Sequence, residues 1–343
     1  MVGCFKTFSR LTPMKTVILP STDLAVSPLC LGGLHFGHGI SENKSFALLD
    51  RFVAAGGNFI DTARIYSDWV PGETRRSERI IGDWIKARRN RDRLVIATKG
   101  AHAFIESLQT PRSSAAEIRD DLEGSLRKLR TDVIDLYWLH RDDAMRPVEH
   151  SIDLLNAFHR EGKIRALGAS NWTAARFAAA NAYAQASGQL GFAANQPCWS
   201  LGCQMARPAK DPGLVRFDRA ACRFHRETGL AVMPYTSQAR GFFSKLALPR
   251  ARQPAKLRQD DYFVPSNVAT AKVVWRIARE RGVKPSAIVL AYVWSRPFPV
   301  VPIIGCRTFA QLQECVDALP VRLTAGELLL LERVSKSGLP AET

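Results

Sequence analysis

A short apolar run followed by an amphipathic helical stretch recurs eight times along this chain, and few architectures accept that alternation. The runs lie at 28–32, 58–62, 94–98, 133–140, 164–170, 192–196, 231–235 and 300–304. Most are apolar at nearly every position, the pattern of strands covered on both faces. The stretches between them, at 41–55, 75–89, 113–129, 148–161, 173–187, 214–228, 267–281 and 308–319, carry apolar residues at helical spacing. Strands that alternate with helices pair in parallel, and eight such units within 343 residues predict an α/β fold, a closed (β/α)8 TIM barrel. An open doubly wound sheet would carry a G-x-G-x-x-G turn after its first strand. Gly32, Gly33 and Gly37 in LGGLHFGHG do not match that spacing.

Outside the eight units, residues 15–27 alternate as a short N-terminal hairpin, 285–295 reads as an extra helix and 324–336 as a closing C-terminal helix. The Pro- and charge-rich stretch 240–267 reads as one long loop, a kind that is usually functional or mobile. No boundary interrupts 15–343, which therefore reads as a single barrel domain, with 1–14 as a disordered N-terminal extension.

The net charge of +16 raises the question of a nucleic-acid partner. The basic residues are scattered, however. The one local cluster, Lys86, Arg88, Arg89, Arg91 and Arg93, falls at an expected helix end, where cations favour the helix dipole. No helix-turn-helix, RNP or finger pattern accompanies it, so solvated surface is the expectation and nucleic acid is not. No run of about 18 apolar residues predicts a membrane helix, and the basic first thirteen residues lack the apolar core of a secretory signal. The seven cysteines are odd in number and form no C-x-x-C, so free thiols in a reducing cytoplasm are expected. Neither they nor the seven histidines have zinc spacing, and no metal is expected.

In such a barrel, polar residues at the C-terminal strand ends converge at one mouth. Reading those ends in order places Asp61, Lys99 and His140 there, with Tyr66 in the short loop after the second strand. A phenol is a poor acid at neutral pH; a nearby ammonium lowers its pKa, a carboxylate holds that ammonium, and an imidazole can orient a carbonyl oxygen. Together the four would protonate an oxygen on which negative charge develops, as carbonyl reduction requires. Taken singly each has a blander reading: a turn cap, a loop aromatic, a surface lysine, a core histidine.

The segments NFIDTARIY, LVIATKG, DVIDLYWLH, IRALGASNW, ANQPCWSL and VPIIGCRTFAQLQE resemble, in order, the signatures of the aldo-keto reductase family, over roughly residues 15–335. The resemblance implies a (β/α)8 barrel, a nicotinamide cofactor (usually NADPH, with NADH the alternative) and reduction of an aldehyde or ketone. It implies Tyr66 as general acid, Lys99 and Asp61 as its tuners and His140 as the carbonyl's guide. It also implies a carboxamide clamp of Ser170, Asn171 and Gln196, and a stacking aromatic at Trp199, whose competing reading is core packing. Under the pyrophosphate it places Tyr235, Thr236, Ser237, Gln238, Arg240 and Gly241. After the eighth strand it places Gly305, Arg307 and Gln311 at the adenosine 2′-phosphate and Glu314 at the adenine.

The chain departs from the family pattern at Cys315, where Asn is frequent, at Ser67, where Gly is common, and at Arg64, which replaces a common acidic residue. Phe36, Trp69, Trp138 and the loop 242–266 are the expected pocket walls. Arg141, Asp142 and Asp143 favour a sugar-like substrate, and neither the direction of the reaction nor an oligomeric state can be read. The family also includes potassium-channel β subunits, so a non-catalytic, cofactor-binding regulatory subunit is the alternative function.

Overall fold

The computed structural model describes residues 14–202 and 211–335. A hairpin of β1 (Val17–Ile18) and β2 (Ala25–Val26) precedes the repeating part. Then follow β3 (Cys30–Gly32), α1 (Glu42–Ala54), β4 (Phe59–Asp61), α2 (Arg76–Arg88), β5 (Val95–Gly100) and α3 (Ala115–Leu129). The middle holds β6 (Ile134–Leu139), α4 (Val148–Arg160), β7 (Ile164–Ser170), α5 (Ala174–Ala186), β8 (Phe192–Gln196), α6 (Arg219–Thr228) and β9 (Ala231–Val232). The chain goes on through α7 (Phe242–Leu246), α8 (Pro265–Glu280), α9 (Pro285–Trp294), β10 (Ile303–Ile304), α10 (Phe309–Asp317) and α11 (Ala325–Ser335). The expected extension at 1–13 and the last residue of the closing helix lie outside the described residues; Met14 is buried and its N–H donates to Ala55 O.

Eight strands pair in parallel in the order β10-β3-β4-β5-β6-β7-β8-β9. The ring closes where Val232 N–H donates to Pro299 O and Val301 N–H to Val232 O, which makes a (β/α)8 barrel. β3, β9 and β10 fall short of their apolar runs at prolines. Pro28, Pro234 and Pro302 carry no N–H, so the ladder loses donors where the sequence remains apolar. Helix starts follow cap chemistry: Ser41, Thr173, Asp218 and Thr308 each accept an N–H of the first turn, and Ser114 with Glu117 forms a capping box. Asp218 is the reason α6 begins at Arg219, five residues later than the periodicity predicts. The long loop expected at 240–267 contains α7, whose Phe242 and Phe243 are buried.

Strand side chains alternate between two cores, as period-two geometry demands. Leu31, Ile60, Ile96, Tyr137 and Leu167 face the helices. Cys30, Phe59, Val95, Ala97, Leu136, Trp138, Ala166, Ala194, Ala231 and Met233 fill the lumen, with Leu19, Leu24 and Val26 of the hairpin region in the same cluster. The largest lumen side chain is Trp138, and it sets a requirement on its neighbour: a Cβ at Gly168 would lie 2.2 Å from the indole. Continuing the inward parity upward from Phe59, Ala97, Trp138, Gly168, Ala194 and Met233 gives Asp61, Lys99, His140, Ser170, Gln196 and Tyr235.

Candidate active site

These inward positions form the polar layer above the apolar lumen. Asp61, Lys99, Ser170 and Gln196 are all buried. The Lys99 ammonium donates to Asp61 Oδ2, to Thr62 O at 2.7 Å and to the Tyr66 hydroxyl at 3.2 Å. Gln196 Nε2 donates to the other Asp61 oxygen at 3.0 Å. Both carboxylate oxygens therefore have donors, and the ammonium sits 4.8 Å from the centre of the Tyr66 ring. The sequence-predicted quartet is one cluster: the Tyr66 and His140 rings meet edge-on at 6.0 Å between centroids.

Burial pulls the Lys99 ammonium down, but Asp61 and Tyr66 more than restore it and its pKa ends raised. Burial raises the Asp61 carboxyl against the pull of Lys99 and Gln196. For Tyr66, burial outweighs the lowering by Lys99, and the phenol ends above its ordinary value. The lysine acts in the expected direction, yet desolvation of the phenolate is the larger effect. Tyr66 thus holds its proton at neutral pH. Burial, then His102, Arg141 and Lys99, lower His140 well below the usual histidine range, so its imidazole is neutral.

Beside this cluster, the Ser170 hydroxyl donates to Gln196 O at 2.8 Å, and Asn171 Nδ2 donates to Ser170 Oγ at 3.0 Å and to His140 O at 3.2 Å. Asn171 has a positive φ of 61°, and its Oδ1 accepts from the Tyr235 hydroxyl at 2.7 Å. Tyr235 is thereby tied to the expected carboxamide clamp rather than to the pyrophosphate segment. The Trp199 side chain lies in the hydrophobic core. It is 1% exposed and packs on Phe217 at 4.8 Å and Tyr292 at 6.4 Å; the half-buried Tyr235 is the aromatic that reaches the clamp.

On the opposite rim, Thr236 and Arg240 also have positive φ, 54° and 53°, and Gly241 has 75°. The Ser237 hydroxyl is buried and donates to Ile303 O at 2.7 Å, tying this segment to β10. Gln238 Oε1 lies 3.6 Å from Cys315 Sγ, and the Arg240 guanidinium lies 3.6 Å from Asp261. Gly305 and Arg307 are exposed. Arg307 N–H is capped by Gln311 Oε1 at 2.8 Å, and Glu314 accepts from Ser286 at 3.1 Å.

Two residues missed in the sequence join this rim. Lys245 on α7 donates to Arg240 O at 2.7 Å; burial lowers its pKa against Asp260, with Arg307 and Arg240 adding to the lowering. His35, from the loop after β3, lies beside Gly305, and burial with Arg307 and His38 lowers it to about 4. The only available signal for Lys245 was its place in a long loop. A rim where Arg307 lowers both Lys245 and His35, and Arg240 lowers Lys245, fits an anionic phosphate group, and the adjoining hydroxyl and amide side chains fit a carboxamide, which both donates and accepts.

Other expectations change with packing. Ser67, at a glycine-rich position of the family pattern, has φ of 73° and donates to Phe36 O at 2.9 Å. Arg64 is buried against Asp121 at 3.3 Å and Asp68 at 3.5 Å, so it belongs to an internal ion network. Phe36 and Trp138 are wholly buried, whereas Trp69 is 40% exposed and meets His38 edge-on. Arg141 is bonded to Asp211 at 2.5 Å, Asp142 to Arg176 at 2.8 Å and Asp143 to Ser113 at 2.5 Å. With their charged groups engaged by Asp211, Arg176, Ser113 and Arg146, these residues no longer argue for a sugar.

Comparison with known proteins identifies the family. The model of the Aldo/keto reductase family matches residues 28–336. The chain is 33% identical to a norsolorinic acid reductase of Emericella nidulans over 331 residues, covering 92% of this chain and 80% of the relative. It is 32% identical over 343 residues to a Saccharomyces cerevisiae protein with the provisional name aryl-alcohol dehydrogenase, covering 93% and 85%. An aldo-keto reductase of Aspergillus calidoustus is 32% identical over 341 residues, covering 93% and 81%.

Proposed function

The chain belongs to the aldo/keto reductase family and is an oxidoreductase that pairs a nicotinamide cofactor with a small carbonyl substrate; from that premise we propose that Tyr66 protonates the carbonyl oxygen of an aryl aldehyde or ketone, with NADPH as the cofactor. The observation that carries this reading is the unbroken chain from the Tyr66 hydroxyl through Lys99 to Asp61. The nicotinamide, when bound, supplies the hydride. Tyr66 holds the proton that the oxygen takes up as charge builds on it, and Lys99 stabilises the phenolate left behind. Asp61 keeps Lys99 charged and in place, and Gln196 steadies Asp61. Neutral His140 donates a ring N–H to the same oxygen and orients it.

Ser170, Asn171 and Gln196 would hold the carboxamide, with Tyr235 against the nicotinamide ring. Thr236, Ser237, Gln238, Gly241 and Gly305 would supply donors along the pyrophosphate, and Arg240 and Lys245 its countercharge. Arg307 would meet the 2′-phosphate, with Gln311 fixing its helix start and Glu314 at the adenine end. The aryl class is supported by the names of the relatives, norsolorinic acid reductase and aryl-alcohol dehydrogenase. It is also supported by Trp69, Phe104 and Ile105, which remain 40%, 45% and 36% exposed on the loops after β4 and β5. The test is oxidation of NADPH and of NADH, followed by absorbance, over a panel of aryl aldehydes, aryl ketones and sugars. Faster turnover of sugars would reject the aryl class, and equal use of the two cofactors would reject the role of Arg307.

A further inference from the structure

His140 is the one member of the quartet whose side chain makes no hydrogen bond among the described residues: its buried Nδ1 has no partner. Its ring orientation depends on packing, and the closest ring is that of His102, edge-on with centroids 4.6 Å apart at 66°. His102 is itself fixed. Its Nδ1 lies 2.6 Å from Ala103 O, an acceptor, so Nδ1 carries the proton and donates. Its Nε2 faces Asp211 Oδ2 at 3.6 Å, and Arg141 clamps that carboxylate at 2.5 Å and 3.1 Å.

The backbone beneath His102 is strained. Ala101, a residue with a Cβ, has φ of 61°, a conformation that persists only when its surroundings enforce it. The enforcing group is Asp121 of α3, whose Oδ2 accepts Ala101 N–H at 3.0 Å while Arg112 holds both its oxygens, at 2.9 Å and 3.0 Å. The turn delivers His102 from the end of β5, two residues past Gly100, back onto the end of β6.

We infer that His102 is a positioning residue for His140: its ring, held by Ala103 and delivered by the strained turn at Ala101, sets the plane in which His140 presents its N–H to the carbonyl oxygen. The inference rests on the role proposed above for His140. A misplacement of about 1 Å in such a group can cost up to about 10²-fold in rate, and loss of one packed neighbour falls below that ceiling.

The experiment is a double-mutant cycle on kcat, measured with 4-nitrobenzaldehyde at saturating NADPH, with cofactor affinity and Tm recorded for each protein. His102→Ala is expected to lower kcat about tenfold in the wild-type background and less than about twofold in the His140→Ala background, because its effect passes through His140. His102→Phe, which keeps a ring in the same contact, is expected to recover most of the loss. Equal losses in both backgrounds, an unaffected His102→Ala, or a His102→Phe no better than His102→Ala would each overturn the inference. A His140→Ala protein with normal kcat would instead reject the role of His140, and the inference with it.

Discussion

The two rims of the barrel mouth are built in opposite ways. On the side of β4, β5 and β6 the charged groups are buried and already bonded to each other: Lys99 to Asp61, Thr62 and Tyr66, and Asp61 to Gln196. On the side of β9 and β10 Arg307 is exposed, and Arg240, Lys245 and Arg307 bear like charges close enough that two of them depress the third. The first rim has met its electrostatic costs at folding, so little reorganisation is left for the reaction. On the function proposed above, an arriving anion would relieve the second. The difference teaches that one mouth can hold a preorganised proton donor and an incomplete anion site side by side.

The strongest test of the preorganised rim is Tyr66→Phe, which keeps the ring and removes the proton. A loss of about 10²–10⁴-fold in kcat is expected, the range of a positioned acid, with cofactor affinity little changed. Normal turnover by this variant would sink the mechanism. Next comes Lys99→Met. It removes the largest influence that lowers the Tyr66 phenol, leaving only the smaller one of Arg141, so the phenol rises further, and a drop of about 30- to 300-fold in kcat at neutral pH is expected. Because Asp61 is left buried without its cation, denaturant titration should also show a loss of about 3–5 kcal/mol. Wild-type stability together with wild-type kcat would show that the pair is not coupled to catalysis.

On the other rim, Arg307→Ala should raise the Kd of NADPH by about 10- to 150-fold, the equivalent of a charge-assisted bond of about 1.5–3 kcal/mol, and leave NADH nearly unaffected. Equal losses for both cofactors in fluorescence titrations would mean that Arg307 serves only its own helix start. The smallest effect sharpens the contrast most directly. Raising salt from about 0.1 M to 1 M shortens the screening length from about 10 Å to 3 Å. The Kd of NADPH should weaken about three- to tenfold, while kcat at saturating cofactor stays flat because the bonded rim is shielded from ions. A parallel fall in kcat would erase the distinction between the rims.

Much of the preorganised rim was legible from strand ends and parity. Asp61, Lys99, His140, Ser170 and Gln196 stand at the ends of their apolar runs, and the barrel brings such ends together. The cofactor rim was less so. The family resemblance implies Trp199 as a stacking aromatic, with core packing as the competing reading, and the turn carries it into contact with Phe217 and Tyr292. Lys245 was hidden in a stretch read as loop, because a five-residue helix leaves almost no periodic signal. His102 carried no signal at all, since what makes it notable is the distance to another ring.

The sequence by itself determined the alternation of strands and helices, the closure of eight units into one barrel, and the parity that sends Asp61 and Lys99 inward. Those follow from backbone geometry and the local spacing of apolar residues, which act over a few positions. Only the tertiary structure decided that burial outweighs Lys99 in setting the Tyr66 phenol, that Arg141 answers Asp211 rather than a substrate, and that Tyr235 rather than Trp199 meets the clamp. Each of these depends on partners far apart in the chain, as Gln196 and Asp61 are at 135 residues. The energy of such a contact depends on distance and on exclusion of water, and neither exists until the barrel has closed.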